Sequence, residues 1–157
     1  MTPTRILVIE DDADIRRLVA TTLSAAGYEV HQAADGFEGI SRAETLNPDL
    51  VVLDLMMPRM DGWQVVSKLR AIPAFAVAPI VLLTAANTAD DRVVAFKLGA
   101  DDYISKPFRP VELVIRVQRA LRHRAHHAYF ASGLRRASRS EPPIEIDPID
   151  SVVPPAP

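Results

Sequence analysis

Five short runs of aliphatic, often β-branched residues, each followed by a longer stretch with helical spacing, constrain the fold of this chain more than any other feature. The runs are Arg5–Ile9, Glu29–Ala33, Asp49–Leu53, Pro79–Leu83 and Asp101–Ile104. The stretches between and after them predict helices over Asp14–Ala26, Gly36–Leu46, Gly62–Ala71, Asp90–Leu98 and Pro110–Arg122. In the first of these, Ile15, Leu18, Val19, Thr22 and Leu23 recur at the spacing of one buried helical face. Gly27 and Gly99 stand where a helix ends in left-handed backbone, and Asn47-Pro48 breaks the second helix. Pro110 suits a first helical position, where a missing N–H costs nothing. Apolar strands alternating with helices imply an α/β chain whose parallel sheet is covered on both faces. Right-handed crossovers leave few ways to connect it. The expected architecture is a doubly wound five-stranded parallel sheet in the order 2-1-3-4-5.

Composition narrows the class. The chain has no cysteine, which excludes a disulfide framework and a thiolate zinc site. The apolar run at the N-terminus is followed at once by Glu10-Asp11-Asp12 and is too short for a signal peptide or a membrane span, so the expected protein is soluble and cytoplasmic. Net charge is −2, but it is unevenly spread. Residues 110–139 carry seven arginines against one glutamate, and residues 141–157 carry four acids and six prolines. We therefore expect one folded domain over residues 1–124. A tail over 125–157 follows, basic at first, then proline-rich and acidic, with linker composition.

In a doubly wound sheet, ligands bind beyond the carboxyl ends of the strands. Glu10, Asp11 and Asp12 follow the first strand, Asp54 the third, Thr84 the fourth and Lys106-Pro107 the fifth. The first and third strands are expected to be neighbours, so Glu10, Asp11 and Asp54 should converge. Two charges ~5 Å apart repel by about 3 kcal/mol at an effective dielectric near 20, so such a cluster protonates, recruits a cation or stays in water. Carboxylates without His or Cys favour a hard cation, and Mg²⁺ suits one or two carboxylates plus phosphate. Asp12 precedes a helix and reads more simply as its cap. A carboxylate beside Mg²⁺ and a lysine is equipped for phosphoryl transfer, with an acyl phosphate as the product. Taken singly, Thr84 is an ordinary strand residue and Lys106 an ordinary surface charge.

The segments Leu7-Val8-Ile9-Glu10-Asp11-Asp12, Asp54-Leu55-Met56-Met57-Pro58, Met60-Asp61-Gly62, Leu83-Thr84-Ala85, Gly99-Ala100-Asp101-Asp102-Tyr103 and Lys106-Pro107-Phe108 occur in this order. With them, the chain from about Arg5 to Arg122 resembles the receiver domains of two-component response regulators. The resemblance implies that Asp54 accepts a phosphoryl group from a sensor histidine kinase or a histidine phosphotransfer protein. It implies that Asp11, Asp54 and the Met56 carbonyl bind Mg²⁺, that Glu10 acts through a metal-bound water, and that Lys106 pairs with the phosphoryl group. Asp54, Thr84 and Lys106 would carry the chemistry. Thr84 would move toward the phosphoryl group and Tyr103 would turn inward. The Lys106–Pro107 bond is expected to be cis. The implied output is a changed surface on the fourth helix, fifth strand and fifth helix.

Three rival readings stand beside this one. A Mg²⁺-dependent phosphohydrolase usually carries a second acid two residues after its nucleophile; here Met56 stands there. A scaffold receiver typically loses part of the acidic site, and this chain keeps all of it. A DNA-binding regulator whose output domain is missing from this chain stays open as the alternative: the ~30 residues after the last helix leave no room for that domain, and a receiver taken from a longer protein would read the same. The expectation is therefore a switch that catalyses only its own phosphorylation and dephosphorylation, and no direct nucleic-acid binding by this chain. Asp102 and Arg116 keep one charge pair of the usual dimer face, but Val94 replaces a cation expected opposite Glu112, and Lys97 and Gln118 replace an acid–base pair. A monomer or a weak phosphorylation-dependent dimer follows. Arg116, Arg119 and Arg122, and His123, His126 and His127, are read as surface residues.

Overall fold

The computed structural model describes residues 2–85 and 89–124. The expected tail, with His126 and His127, lies outside them, as does Ala86. Strand β1 (Arg5–Ile9) leads to α1 (Ala13–Ala25), β2 (Glu29–Ala33), α2 (Gly36–Leu46), β3 (Leu50–Asp54) and α3 (Gly62–Ala71). A 3₁₀ turn (Pro73–Phe75) then precedes β4 (Ile80–Thr84), α4 (Ala89–Lys97) and β5 (Asp102–Ser105). Helix α5 covers residues 110–124. The strands are all parallel, in the order β2-β1-β3-β4-β5.

Two-residue periodicity divides the core between the faces of this sheet. Ile6, Val8, Leu50, Val52, Val81, Leu83 and Ile104 pack with Val19 and Leu23 of α1 and with Leu113 and Val117 of α5. Leu7, Ile9, Val51, Leu53, Ile80, Leu82 and Tyr103 pack on the other side with Ala43 of α2, Val65 and Leu69 of α3 and Ala95 of α4. Both faces of the central strands β3 and β4 are buried, which is why these strands are apolar without a break. Each large aliphatic side chain buried this way contributes roughly 1.5–3 kcal/mol.

Helix ends follow local chemistry. Asp12 caps α1, its carboxylate accepting from the N–H groups of Asp14 and Ile15. Asp61 and Gln64 form a reciprocal capping box on α3. Gly27 and Gly99 have φ of 98° and 92°, the left-handed backbone expected past a helix end. Arg70, half-buried near the end of α3, ties distant segments together. Its guanidinium donates to the carbonyls of Phe75 (2.8 Å) and Ala78 (2.6 Å), to the Gly99 carbonyl, and to the Asp101 carboxylate at 3.3 Å.

Three strands begin and end one residue later than the apolar runs suggest. Asp54, Thr84 and Ser105 are polar, yet their backbones stay in register, Asp54 opposite Leu83 and Thr84 opposite Ser105. The polar residues expected just beyond β3 and β4 are thus the last residues of those strands. The 3₁₀ turn was not legible, because Ala71–Pro79 has no apolar period: Phe75 is buried while Val77 is exposed. Among the described residues, no helix is long and apolar enough to cross a membrane.

Candidate functional site

The carboxyl ends of β1, β3, β4 and β5 meet at one edge of the sheet. Pairing of β1 with β3 sets Ile9 beside Leu53, so the residues that follow each, Glu10 and Asp54, end adjacent strands. One carboxylate oxygen from each of Glu10, Asp11 and Asp54 lies within 4.8 Å of the others. Glu10 and Asp54 are buried and Asp11 is exposed. The start of α3 closes over Asp54: a Cβ added to Gly62 would stand 2.5 Å from the Asp54 carbonyl oxygen, so only glycine allows this approach.

Hydrogen bonds fix the acids. Lys106 Nζ donates to Glu10 Oε2 at 2.8 Å and stands 3.5 Å from Asp54 Oδ1. The Asp12 N–H donates to Glu10 Oε1 at 3.2 Å, and the Met56 N–H to Asp54 Oδ1 at 3.1 Å. Lys106 follows β5, its own N–H donating to the Thr84 carbonyl at 2.8 Å, and the Lys106–Pro107 peptide is cis. Thr84 is wholly buried at the end of β4. Met56, two residues after Asp54, is 66% exposed.

Electrostatics agree with the geometry. Burial pushes Glu10 up to about 7; the Lys106 hydrogen bond opposes this and the neighbouring Asp54 charge adds to it. Burial also raises Asp54 above the usual carboxylate range, against the Met56 N–H and the Lys106 charge. Two buried acids whose charged forms are disfavoured, joined to an exposed third by oxygen atoms alone, fit a hard divalent cation. Asp12 is not among them, because capping α1 uses its carboxylate.

Tyr103 is 6% exposed and points into the core shared with α4. Its hydroxyl has no hydrogen-bond partner among the described residues. The Arg92 guanidinium lies 5.8 Å from the ring centroid. Burial raises the phenol above its ordinary value, with Asp91 adding to the shift and Arg92 opposing it. Arg92 and Arg16 were not singled out from the sequence. Arg16 Nη1 donates to the Glu10 carbonyl at 2.9 Å, and nothing in its residue type distinguishes it from the exposed Arg17 beside it. His123 is exposed at the end of α5, and Arg124 nearby reaches the Asp49 carbonyl and carboxylate.

Residues 6–118 match the family model described as the response regulator receiver domain. The chain belongs to the response regulator receiver family. It is 50% identical over 118 residues to the probable transcriptional regulator ycf27 of Porphyridium aerugineum, covering 75% of this chain and 48% of that one. It is 46% identical over 118 residues to the DNA-binding dual master transcriptional regulator RpaA of Synechocystis sp., covering 75% and 49%. This receiver chain thus spans about half the length of the curated relatives it matches. The Vibrio cholerae chemotaxis protein CheY4 superposes with a TM-score of 0.73 at 33% identity, over 76% of this chain and 99% of that one. The doubly wound order read from the sequence is the one observed.

Proposed function

We propose that this receiver is a phosphorylation switch in which Asp54 accepts a phosphoryl group from a phosphohistidine of a sensor kinase or phosphotransfer protein. One observation carries the reading: Lys106 Nζ reaches both Glu10 and Asp54 in a cluster where Asp11 completes a three-carboxylate set. An Asp54 carboxylate oxygen bonds to phosphorus while the phosphorus–nitrogen bond of the donor breaks. The nitrogen leaves with the electron pair and takes a proton from solvent. Mg²⁺ held by Asp11, Asp54 and the Met56 carbonyl would neutralise charge on the transferring oxygens. Lys106 contributes the second positive charge. Thr84 places a hydroxyl at the end of β4. Tyr103, set between β5 and α4, relays the change to the surface of α4, β5 and α5.

On this reading the chain acts on no substrate besides its own aspartate, and works in the cytoplasm. The phosphohydrolase alternative lacks its second acid, since an exposed Met56 occupies that position. A second reading is favoured by the relatives named as transcriptional regulators, of which this chain matches about half: a receiver module governing a DNA-binding output. The test is intact mass after incubation with acetyl phosphate. One phosphoryl group should appear in wild type with Mg²⁺, and none in Asp54→Asn or in EDTA. A gain in Asp54→Asn equal to wild type would reject Asp54 as the acceptor.

A further inference from the structure

The three acids of the cluster differ in how they are held. Glu10 is fixed at every polar point: its N–H donates to the Ala33 carbonyl, its carboxylate accepts from the Asp12 N–H and from Lys106, and its carbonyl accepts from Arg16. Asp54 is held by the sheet and by the Met56 N–H. Asp11 is exposed, and its carboxylate approaches the other two acids. Its place is therefore set by the backbone on either side of it. Those two sides are the Glu10 carbonyl, braced by Arg16, and the Asp12 N–H, braced by the Glu10 carboxylate.

We propose that Arg16 is a positioning residue for the divalent cation: by donating to the Glu10 carbonyl it fixes the peptide that carries Asp11, and so places the one exposed carboxylate of the set. The inference rests on the metal reading given above. The ladder between β1 and β3 ends at Ile9 and Leu53, so the Glu10 carbonyl lies past the last paired residue of that ladder. A carbonyl beside a buried residue needs a donor, and leaving it without one is costly. With the guanidinium gone, the cheapest relief is rotation of the Glu10–Asp11 peptide toward water. That rotation swings Asp11. Arg16 is part-buried and returns to this carbonyl from the first turn of α1, whose cap at Asp12 fixes its approach.

Charge and position predict opposite signs, which makes the idea testable. If Arg16 acted only as a positive charge near three acids, its removal would tighten binding of a divalent cation. If it positions Asp11, removal weakens binding. The experiment titrates MgCl₂ into the ¹⁵N-labelled full chain without phosphodonor and follows amide shifts. It uses wild type, Asp11→Asn, Arg17→Met, Arg16→Met and Arg16→Lys. Arg17→Met removes the same charge from an exposed neighbour and should bind as wild type or tighter. Arg16→Met should raise the Kd for Mg²⁺ about tenfold, the low end for partners that orient metal ligands. Arg16→Lys, which keeps a donor, should recover part of the loss. The metal-free spectra should report a folded chain throughout. An unchanged or lower Kd in Arg16→Met, or a loss equal to that in Arg17→Met, would overturn the proposal. Identical Mg²⁺ titrations in wild type and Asp11→Asn would instead remove the metal reading, and this inference with it.

Discussion

Lys106 Nζ lies 2.8 Å from Glu10 Oε2, an ion pair that joins the end of β5 to the end of β1 across 96 residues of sequence. Two other strands, β3 and β4, stand between them in the sheet. The contact spends the ammonium largely on Glu10, leaving Asp54 at 3.5 Å and Asp11 without it. One cation facing three acids leaves negative charge that a further cation can neutralise.

Stability should therefore respond to metal. Mg²⁺ at a hundredfold excess over Kd should raise the unfolding free energy by about 2.7 kcal/mol, if it binds only the folded chain. Asp11→Ala should abolish most of that gain and leave the metal-free fold at least as stable, because one repelling charge is gone. Thermal melts with MgCl₂ and with EDTA measure both. A full Mg²⁺ shift in Asp11→Ala would place the cation elsewhere.

Tyr103 gives an alkaline signature. Its phenol is raised above 10.0 by burial, so the folded state keeps a proton that the unfolded chain releases. The folded state binds more protons in that window, so stability is complete below about pH 10 and falls as pH rises toward the folded value. Tyr103→Phe should remove this part of the alkaline slope. At pH 7 it should lie within about 1 kcal/mol of wild type or above it, since the lost hydroxyl has no described partner. Urea unfolding at pH 7 and pH 10.5 separates the two effects. Equal slopes in both proteins would show that the phenol titrates as in water.

The phosphoryl form should be long-lived. Hydrolysis needs water in line with the leaving Asp54 oxygen, and polar side chains beside that path orient it. On the proposed function, Met56, exposed two residues after Asp54, and Ala86, two after Thr84, are the side chains expected beside that path. Neither holds a water by a strong hydrogen bond. Replacing them, as Met56→Asn with Ala86→Glu, should speed decay of phosphorylated protein after donor removal, each tenfold costing about 1.4 kcal/mol of barrier. Slower decay in the double variant would remove these side chains from control of water.

Pairing between copies should be weak. Arg116 is engaged within its own chain, 2.7 Å from Asp102 and 3.3 Å from Glu112. Glu112 thus finds its cation one turn away on its own helix, while position 94 of α4 holds Val. Exposed pairs add only about 0–1 kcal/mol each, so mismatched charges mainly remove specificity. Light scattering of the beryllofluoride-treated chain should give a monomer or a weak dimer. A tight dimer at low micromolar concentration would contradict this.

Much of this was legible because the strands carry their pattern openly. The bounds of β1, β2, α2 and α3 match the apolar runs and their caps. The acids were legible because parallel pairing forces strand ends together, so sequence-distant Glu10 and Asp54 needed only the strand order to meet. The ends of β3, β4 and β5 were misjudged by one residue, because a polar side chain does not stop a backbone ladder. Arg16 and Arg70 were illegible for another reason. Each bonds to carbonyl oxygens, which every residue possesses, so no side-chain pattern marks their partners.

Arg70 makes the end of α4 a fulcrum. Its guanidinium grips Gly99 and Asp101, just past Lys97, and anchors them to the segment that leads into β4. The first turn of α4, near Ala89, has no such tether to Arg70. On the switch reading, a helix pinned at its C-terminal end would swing rather than slide. With nine residues at 1.5 Å each, a tilt of about 10° carries the first turn about 2 Å while Lys97 hardly moves. On the switch reading, leverage of this kind would turn a sub-ångström change near Thr84 into a visible displacement of Asp90 and Val93, with Leu98 as the still end of the arm.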